Sequence, residues 1–217
     1  MVAVAQKVRV TMNHPDAERW NERFAREQET WLKRPPRSLL LTHTEFLPTQ
    51  GLALDAAAGV GTDSLFLAQR GLRVIALDIS EYALRLTIQR ARKENLSVSV
   101  AVYDLTRLWL PECFFDVIIN FYFLERTALP LYQRALKPEG IIYFETFLHT
   151  DPSHPRPEHY LRPGELLQAF QGFEVLYNNI HQLTRPDENT CKVTEQLIAK
   201  KPKNFRRKEN DHETHHS

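Results

Sequence analysis

With 217 residues, 42% of them hydrophobic and 25% charged, the chain is long enough to bury one full core and has an ordinary globular composition. Lys+Arg 28 against Asp+Glu 27 leaves a net charge of +1, which excludes a protein working through a global basic field on nucleic acid or an acidic field on a cationic partner. Two cysteines, Cys113 and Cys191, exclude a disulfide framework and a four-thiolate metal site and fit a reducing cytoplasm.

Residues 1–14 read as a flexible leader without a signal sequence, and no apolar run is long enough for a bilayer, so a cytoplasmic protein with no membrane partner is expected. From Pro15, the spacing of Trp20, Phe24 and Trp31 predicts a helix that Pro35-Pro36 ends, and a second helix near 38–48 leads into an apolar strand over 52–57. Alternation follows: helix 62–70, strand 73–78, helix 81–95, strand 97–104, strand 115–122, helix 127–136 and strand 140–147. Residues 148–163, rich in proline and histidine, read as a loop before a short helix near 163–170. Segments 172–182 and 191–201 then read as two strands of a hairpin. The pattern predicts an α/β fold: a doubly wound, mostly parallel seven-stranded sheet with an antiparallel edge hairpin, one domain over 15–201 and a disordered tail over 202–217.

Ligands of such sheets sit outside the carboxyl ends of the strands, and three strands here end in an acidic signal. The first ends in Asp55 and a turn with Gly59 and Gly61, the second in Asp78, the third in Asp104. Glycines let the backbone approach a ligand, and the following helix directs free N–H groups toward it. Asp78 is spaced to accept hydrogen bonds from both hydroxyls of a ribose, and Asp104 from the exocyclic amine of a base. The set suits an adenosine better than a phosphate. Any one of these aspartates also fits a plain turn cap, but three at successive strand ends, joined to the glycine turn, favour a site.

The stretches LDAAAGVGTDSLFLAQRGLRVIALDISEYAL, VYDLTRLWLPECFFDVIINFYFLER and LKPEGIIYFETF resemble the class I S-adenosylmethionine-dependent methyltransferases, and among them the small bacterial tellurite-resistance-like group. The resemblance runs from about Trp20 to Lys201 and implies S-adenosylmethionine as cofactor. It would place Gly59 and Gly61 against the methionine end with Asp55 near its amino group, Asp78 on the ribose, and Ile79 on the adenine. It would also place Asp104 and the Leu105 backbone at the adenine amine, and Asn120 and Phe121 toward the sulfonium. The family often has glycine two residues after the acidic position, where this chain has Ala57.

Methyl transfer is an in-line displacement that needs few catalytic side chains, so no catalytic residue is assigned. Tyr122, Arg126, Glu145 and Tyr160 are the candidate acceptor-side residues, with Glu145, Tyr122 and the loop histidines as candidate bases. Trp20, Arg23 and Trp31 are placed to close over the cofactor or simply to pack on the sheet. His149, His154 and His159 lie among prolines without a helix to align them, so no metal site is expected. A nicotinamide dehydrogenase shares the glycine turn and ribose carboxylate but does not ask for Asp104 or the hairpin, and no phosphate-binding G-x-x-x-x-G-K-[ST] occurs. The expected activity is methylation of a small-molecule acceptor by a monomer or homodimer. The alternatives are a nucleic-acid methyltransferase, disfavoured by neutral charge and by Phe121-Tyr122-Phe123 where amino-methylating enzymes carry prolines, and a non-catalytic cofactor-binding protein.

Overall fold

The computed structural model describes residues 14–150, 157–183 and 192–205. The expectations for the leader before His14, for His154, for Cys191 and for the tail beyond Phe205 lie outside these residues. The described strands are β1 (Gly51–Ala56), β2 (Leu72–Asp78), β3 (Val98–Val102), β4 (Phe115–Phe121), β5 (Leu136–Phe147), β6 (Glu174–Leu183) and β7 (Lys192–Lys200). They form one seven-stranded sheet in the order β3-β2-β1-β4-β5-β7-β6. The first five run parallel, and β7 and β6 add the antiparallel edge.

Side chains alternate across each strand, so the apolar runs feed two cores. Leu54, Ile118, Ile142, Phe144 and Leu197 pack with α6 (Leu129–Ala135) and α7 (Glu165–Ala169). Ala53, Val74, Val117, Tyr143 and Ile198 pack with α3 (Ser38–Thr42), α4 (Thr62–Gln69) and α5 (Glu81–Lys93). Burial on both faces is why these strands read as continuous apolar runs rather than alternating ones.

Three segments depart from the sequence pattern. The leading helix is two, α1 (Pro15–Arg26) and α2 (Gln28–Leu32), broken at Glu27. The Glu27 carboxylate accepts from Arg23 Nε, Arg26 Nη2 and Trp31 Nε1, and the bend brings the Trp31 ring to 5.0 Å from Phe24. The second helix is the short α3 followed by a 3-10 turn over Thr44–Phe46. Strand β5 starts at Leu136 because the chain bulges: Phe115 pairs with Leu136 but Val117 with Ile141, and Glu139 takes a φ of 65°. Ordered packing also runs past Lys201. Its buried ammonium donates to the Leu136 carbonyl at 2.7 Å beyond the end of α6, and Phe205 packs edge-on against Phe173.

β1 has β2 on one side and β4 on the other, so the loops leaving β1 and β4 diverge and open a crevice at the carboxyl edge. Helix α1 is fastened beside that crevice by Asn21, whose Oδ1 accepts from Ser80 Oγ at 2.8 Å and from the Tyr82 N–H at 3.0 Å. Phe24, Val60 and Ala83 form the small core beneath it.

Candidate functional site

A cleft at this edge is walled by the β1 turn, the ends of β2 and β4, the residues following β3, and the leading helices. Asp55, Ala57, Gly59, Asp78, Ile79, Asp104, Leu105, Phe121 and Tyr122 all line it. So do Trp20, Phe24 and Trp31 from α1 and α2, and Arg34 and Arg37 on either side of Pro35-Pro36.

Asp78 ties two walls together. Its Oδ2 accepts from the Gly59 N–H and its Oδ1 from the Ser80 N–H, each at 2.8 Å, while burial pushes its carboxyl above the ordinary range against those bonds. Asp104 is both a cap and a cleft residue: its Oδ1 accepts from the Thr106 N–H at 3.0 Å and the Thr106 hydroxyl at 2.7 Å. Burial pushes the Asp104 carboxyl up, but those two bonds outweigh it and the net shift is downward. Asp55 is different. It is 2% exposed, takes one hydroxyl donor from Ser64 at 2.5 Å, and is pushed up to about 8, first by burial and then by the charge of Asp63. Asp63 rises to about 6 by burial, opposed by Arg37, whose N–H it accepts at 2.8 Å and whose Nε lies at 3.7 Å. The Arg37 guanidinium also stands 4.4 Å over the Tyr122 ring.

Other sequence candidates are placed elsewhere. Gly61 lies behind the cleft, where it has a φ of 72° and a Cβ would come within 2.2 Å of Thr87 Cγ2, so its glycine serves the packing of α5. Asn120 is 1% exposed and outside the cleft lining, with its Nδ2 donating to Tyr132 Oη at 3.0 Å. The adjacent Phe121 takes the cleft side. Glu145 is buried behind Tyr122, whose hydroxyl it accepts at 3.0 Å. Arg126 and Tyr160, expected on the acceptor rim, are joined to each other rather than to the cleft. Arg126 donates to both Glu165 oxygens and to the carbonyls of Glu158 and Tyr160, while the Tyr160 ring lies near Phe147 and His149. The guanidinium clamps residues 158–165 instead of facing a ligand. Among the described residues, no group of three or more His, Cys, Asp or Glu could hold a metal ion, and no helix is long and apolar enough to cross a membrane.

Residues missed from the sequence are Phe24, Arg34, Arg37, Asp63 and Tyr103, all in the lining. Asp63 carried a signal, an acid in the first turn of a helix entered from a glycine turn. Arg34 and Arg37 carried a weaker one in the rigid Pro-Pro they bracket.

Comparison with known proteins agrees with the resemblance seen in the sequence. Residues 53–140 match the family model described as a methyltransferase domain. Over these residues the chain is similar to the S-adenosylmethionine-dependent methyltransferases. Over 151 residues it is 30% identical to the "Probable S-adenosyl-L-methionine-dependent methyltransferase TehB" of Haemophilus influenzae, covering 64% of this chain and 52% of that protein. It thus spans about half the length of that relative. The crystal structure of TehB from Haemophilus influenzae superposes with a TM-score of 0.67 at 21% identity, covering 84% of this chain and 67% of that one. A methyltransferase structure from Methanosarcina mazei gives 0.61 at 21% identity over 78% and 99%. At that identity the two superpositions speak for the fold.

Against the pattern of these methyltransferases, the alanine where glycine is common takes an unusual backbone conformation. Ala57 has a φ of 62°, the left-handed region that costs an L-residue about 1–2 kcal/mol. Ala57→Gly removes that strain at the expense of a looser unfolded chain, and the net gain is expected to be about 0.5–1 kcal/mol. A thermal melt should show a Tm raised by roughly 1–4 °C. An unchanged or lowered Tm would mean that the Ala57 methyl makes packing contacts that offset the strain.

Proposed function

We propose that this protein transfers a methyl group from S-adenosylmethionine to a small-molecule acceptor in the cytoplasm. The observation that carries the reading is a cleft in which a glycine turn and three aspartates, Asp55, Asp78 and Asp104, come from the ends of three neighbouring strands. The residues present fit the cofactor on a feature of their own: Asp55 is a buried carboxyl with a hydroxyl donor, and a cationic group in the cleft would complete it. When bound, the cofactor supplies a methyl group on a positively charged sulfur.

In this reading the chain binds and orients. Asp55 takes the ammonium of the methionine portion, Asp78 the ribose hydroxyls and Asp104 the adenine amine, with Ile79 and Leu105 as apolar walls. Phe121 presents an aromatic ring near the sulfonium, an arrangement that attracts a cation. Trp20, Phe24 and Trp31 close the cleft from the leading helices and exclude water. Holding donor and acceptor in line supplies most of what such a displacement needs.

Thermal melts with S-adenosylmethionine, S-adenosylhomocysteine and a nicotinamide dinucleotide test the reading. At a hundredfold excess over Kd, either sulfur compound should stabilise the fold by about 2.7 kcal/mol, raising Tm by roughly 5–10 °C, and the dinucleotide should do nothing. Stabilisation by the dinucleotide alone would overturn it. An acceptor screen scored by S-adenosylhomocysteine release then separates an enzyme from a binding protein.

A further inference from the structure

Tyr122 is a bulky residue at a φ of 60°, a backbone conformation that such side chains rarely adopt and that structures retain only where the surroundings enforce it. Glu145 holds it with two hydrogen bonds, while Arg37 and Phe147 pack on the ring. The Tyr122 N–H donates to the Glu145 carbonyl at 2.7 Å, and the Tyr122 hydroxyl donates to Glu145 Oε1 at 3.0 Å. The result presents the ring to the cleft with its hydroxyl joined to a carboxyl that is 1% exposed. The same Oε1 accepts the Thr194 hydroxyl at 2.9 Å, so β7 fixes the carboxyl from the other side.

We propose that Tyr122 is the catalytic residue that receives the acceptor's proton, and that Glu145 acts through it as the final proton holder. The proposal rests on the methyl-transfer reading and narrows it: the acceptor is a nucleophile that carries a proton at neutral pH, such as a hydroxyl or an amine, rather than a bare anion. During transfer the carbon–sulfur bond breaks with its electron pair left on sulfur, and the acceptor's lone pair forms the new bond to carbon. The acceptor's proton passes to Tyr122 Oη as Tyr122's own proton passes to Glu145 Oε1. Burial and then the neighbouring Glu145 hold the phenol well above its ordinary pKa, so Tyr122 relays a proton instead of standing as a phenolate. The groups facing this pair are Arg37 over the ring and Asp63 beside Arg37. The guanidinium steadies negative charge that builds on the phenol oxygen as the proton moves.

The test compares wild type, Tyr122→Phe, Glu145→Gln and Glu145→Asp. Each is assayed for S-adenosylhomocysteine release with catechol and primary amines, which carry a proton, and with iodide and thiocyanate, which carry none. Calorimetry measures S-adenosylmethionine affinity in parallel. Wild type should turn over the proton-bearing set only. Tyr122→Phe and Glu145→Gln should lose roughly 100-fold or more in kcat, with cofactor Kd and acceptor KM essentially unchanged, and Glu145→Asp should recover part of the loss. The kcat of Glu145→Gln should climb more steeply with pH than that of the wild type, as hydroxide takes the place of the missing base. Wild-type kcat in both variants, a loss matched by weaker cofactor binding, preferred turnover of the bare anions, or cofactor binding with no turnover of either set would each overturn the relay. Failure of the wild type to bind S-adenosylmethionine at all would overturn the reading beneath it, and the relay with it.

Discussion

Asp78→Ala is expected to weaken S-adenosylmethionine binding by about 100-fold, close to 2.7 kcal/mol, because two effects fall on one side chain. The first is the loss of charge-assisted hydrogen bonds to the ribose in the proposed site. The second is internal to the protein: the carboxylate is the acceptor for the Gly59 and Ser80 N–H groups, so it sets the distance between the glycine turn and the start of α5. Without it two sheltered N–H groups lose their partners, a cost of about 1–3 kcal/mol each where water cannot reach them. From its place at a strand end, Asp78 reads as a residue whose loss leaves the fold intact. At 7% exposure, with those two donors, its loss should still cost stability, and the variant should melt several degrees lower. The two effects separate with S-adenosylhomocysteine and its 2′-deoxy analogue. Wild type should prefer the parent compound, and Asp78→Ala should bind both alike. A variant that still discriminates between them would show that the ribose is held elsewhere and that Asp78 only braces the turn.

The sheet and this edge of the cleft were legible because their signals are local. Strands such as Leu72–Asp78 and Phe115–Phe121 are unbroken apolar runs, and the glycine turn sits where β1 must hand over to α4. The misplacements come from pairings distant in sequence. Arg37 reaches Asp63 across 26 residues and Arg126 reaches Glu165 across 39, and no periodicity near either arginine announces its partner. Arg126 thus looked like a rim residue with an adaptable polar tip, when its five donors are the geometry that lets one side chain gather a carboxylate and two carbonyls. Backbone strain is equally hidden: nothing in Ala57-Ala58 or Phe121-Tyr122-Phe123 says that Ala57 and Tyr122 lie at positive φ. Two strained residues lining one cleft are the kind of local inconsistency that a sequence shows where binding, rather than folding, selects the residue.

Binding of S-adenosylmethionine should release close to one proton between pH 6 and 7.5, and the affinity should rise by about tenfold per pH unit over that window. The cause is Asp55, whose buried carboxyl, pushed up to about 8, is neutral in the unliganded protein and must ionise to meet an ammonium group. Asp63, at about 6, has already lost its proton over most of this range and adds little. The unliganded protein should show the opposite pH trend. A carboxyl whose folded pKa stands above its unfolded value of about 3.9 contributes stability that is fully present below that value and is lost as pH rises through 8. The Tm without ligand should therefore fall from pH 6 to pH 8, and the cofactor should recover the most stability at the alkaline end. Asp55→Asn is nearly the same shape and cannot ionise, so it should flatten the unliganded trend and abolish the proton release. It should also bind the cofactor at least roughly tenfold more weakly at pH 7.5, where the wild-type carboxylate can form. Calorimetry in two buffers of different ionisation enthalpy reads the proton directly. Heats that agree between buffers for the wild type would show that Asp55 does not change protonation on binding, and would remove it from the ammonium site.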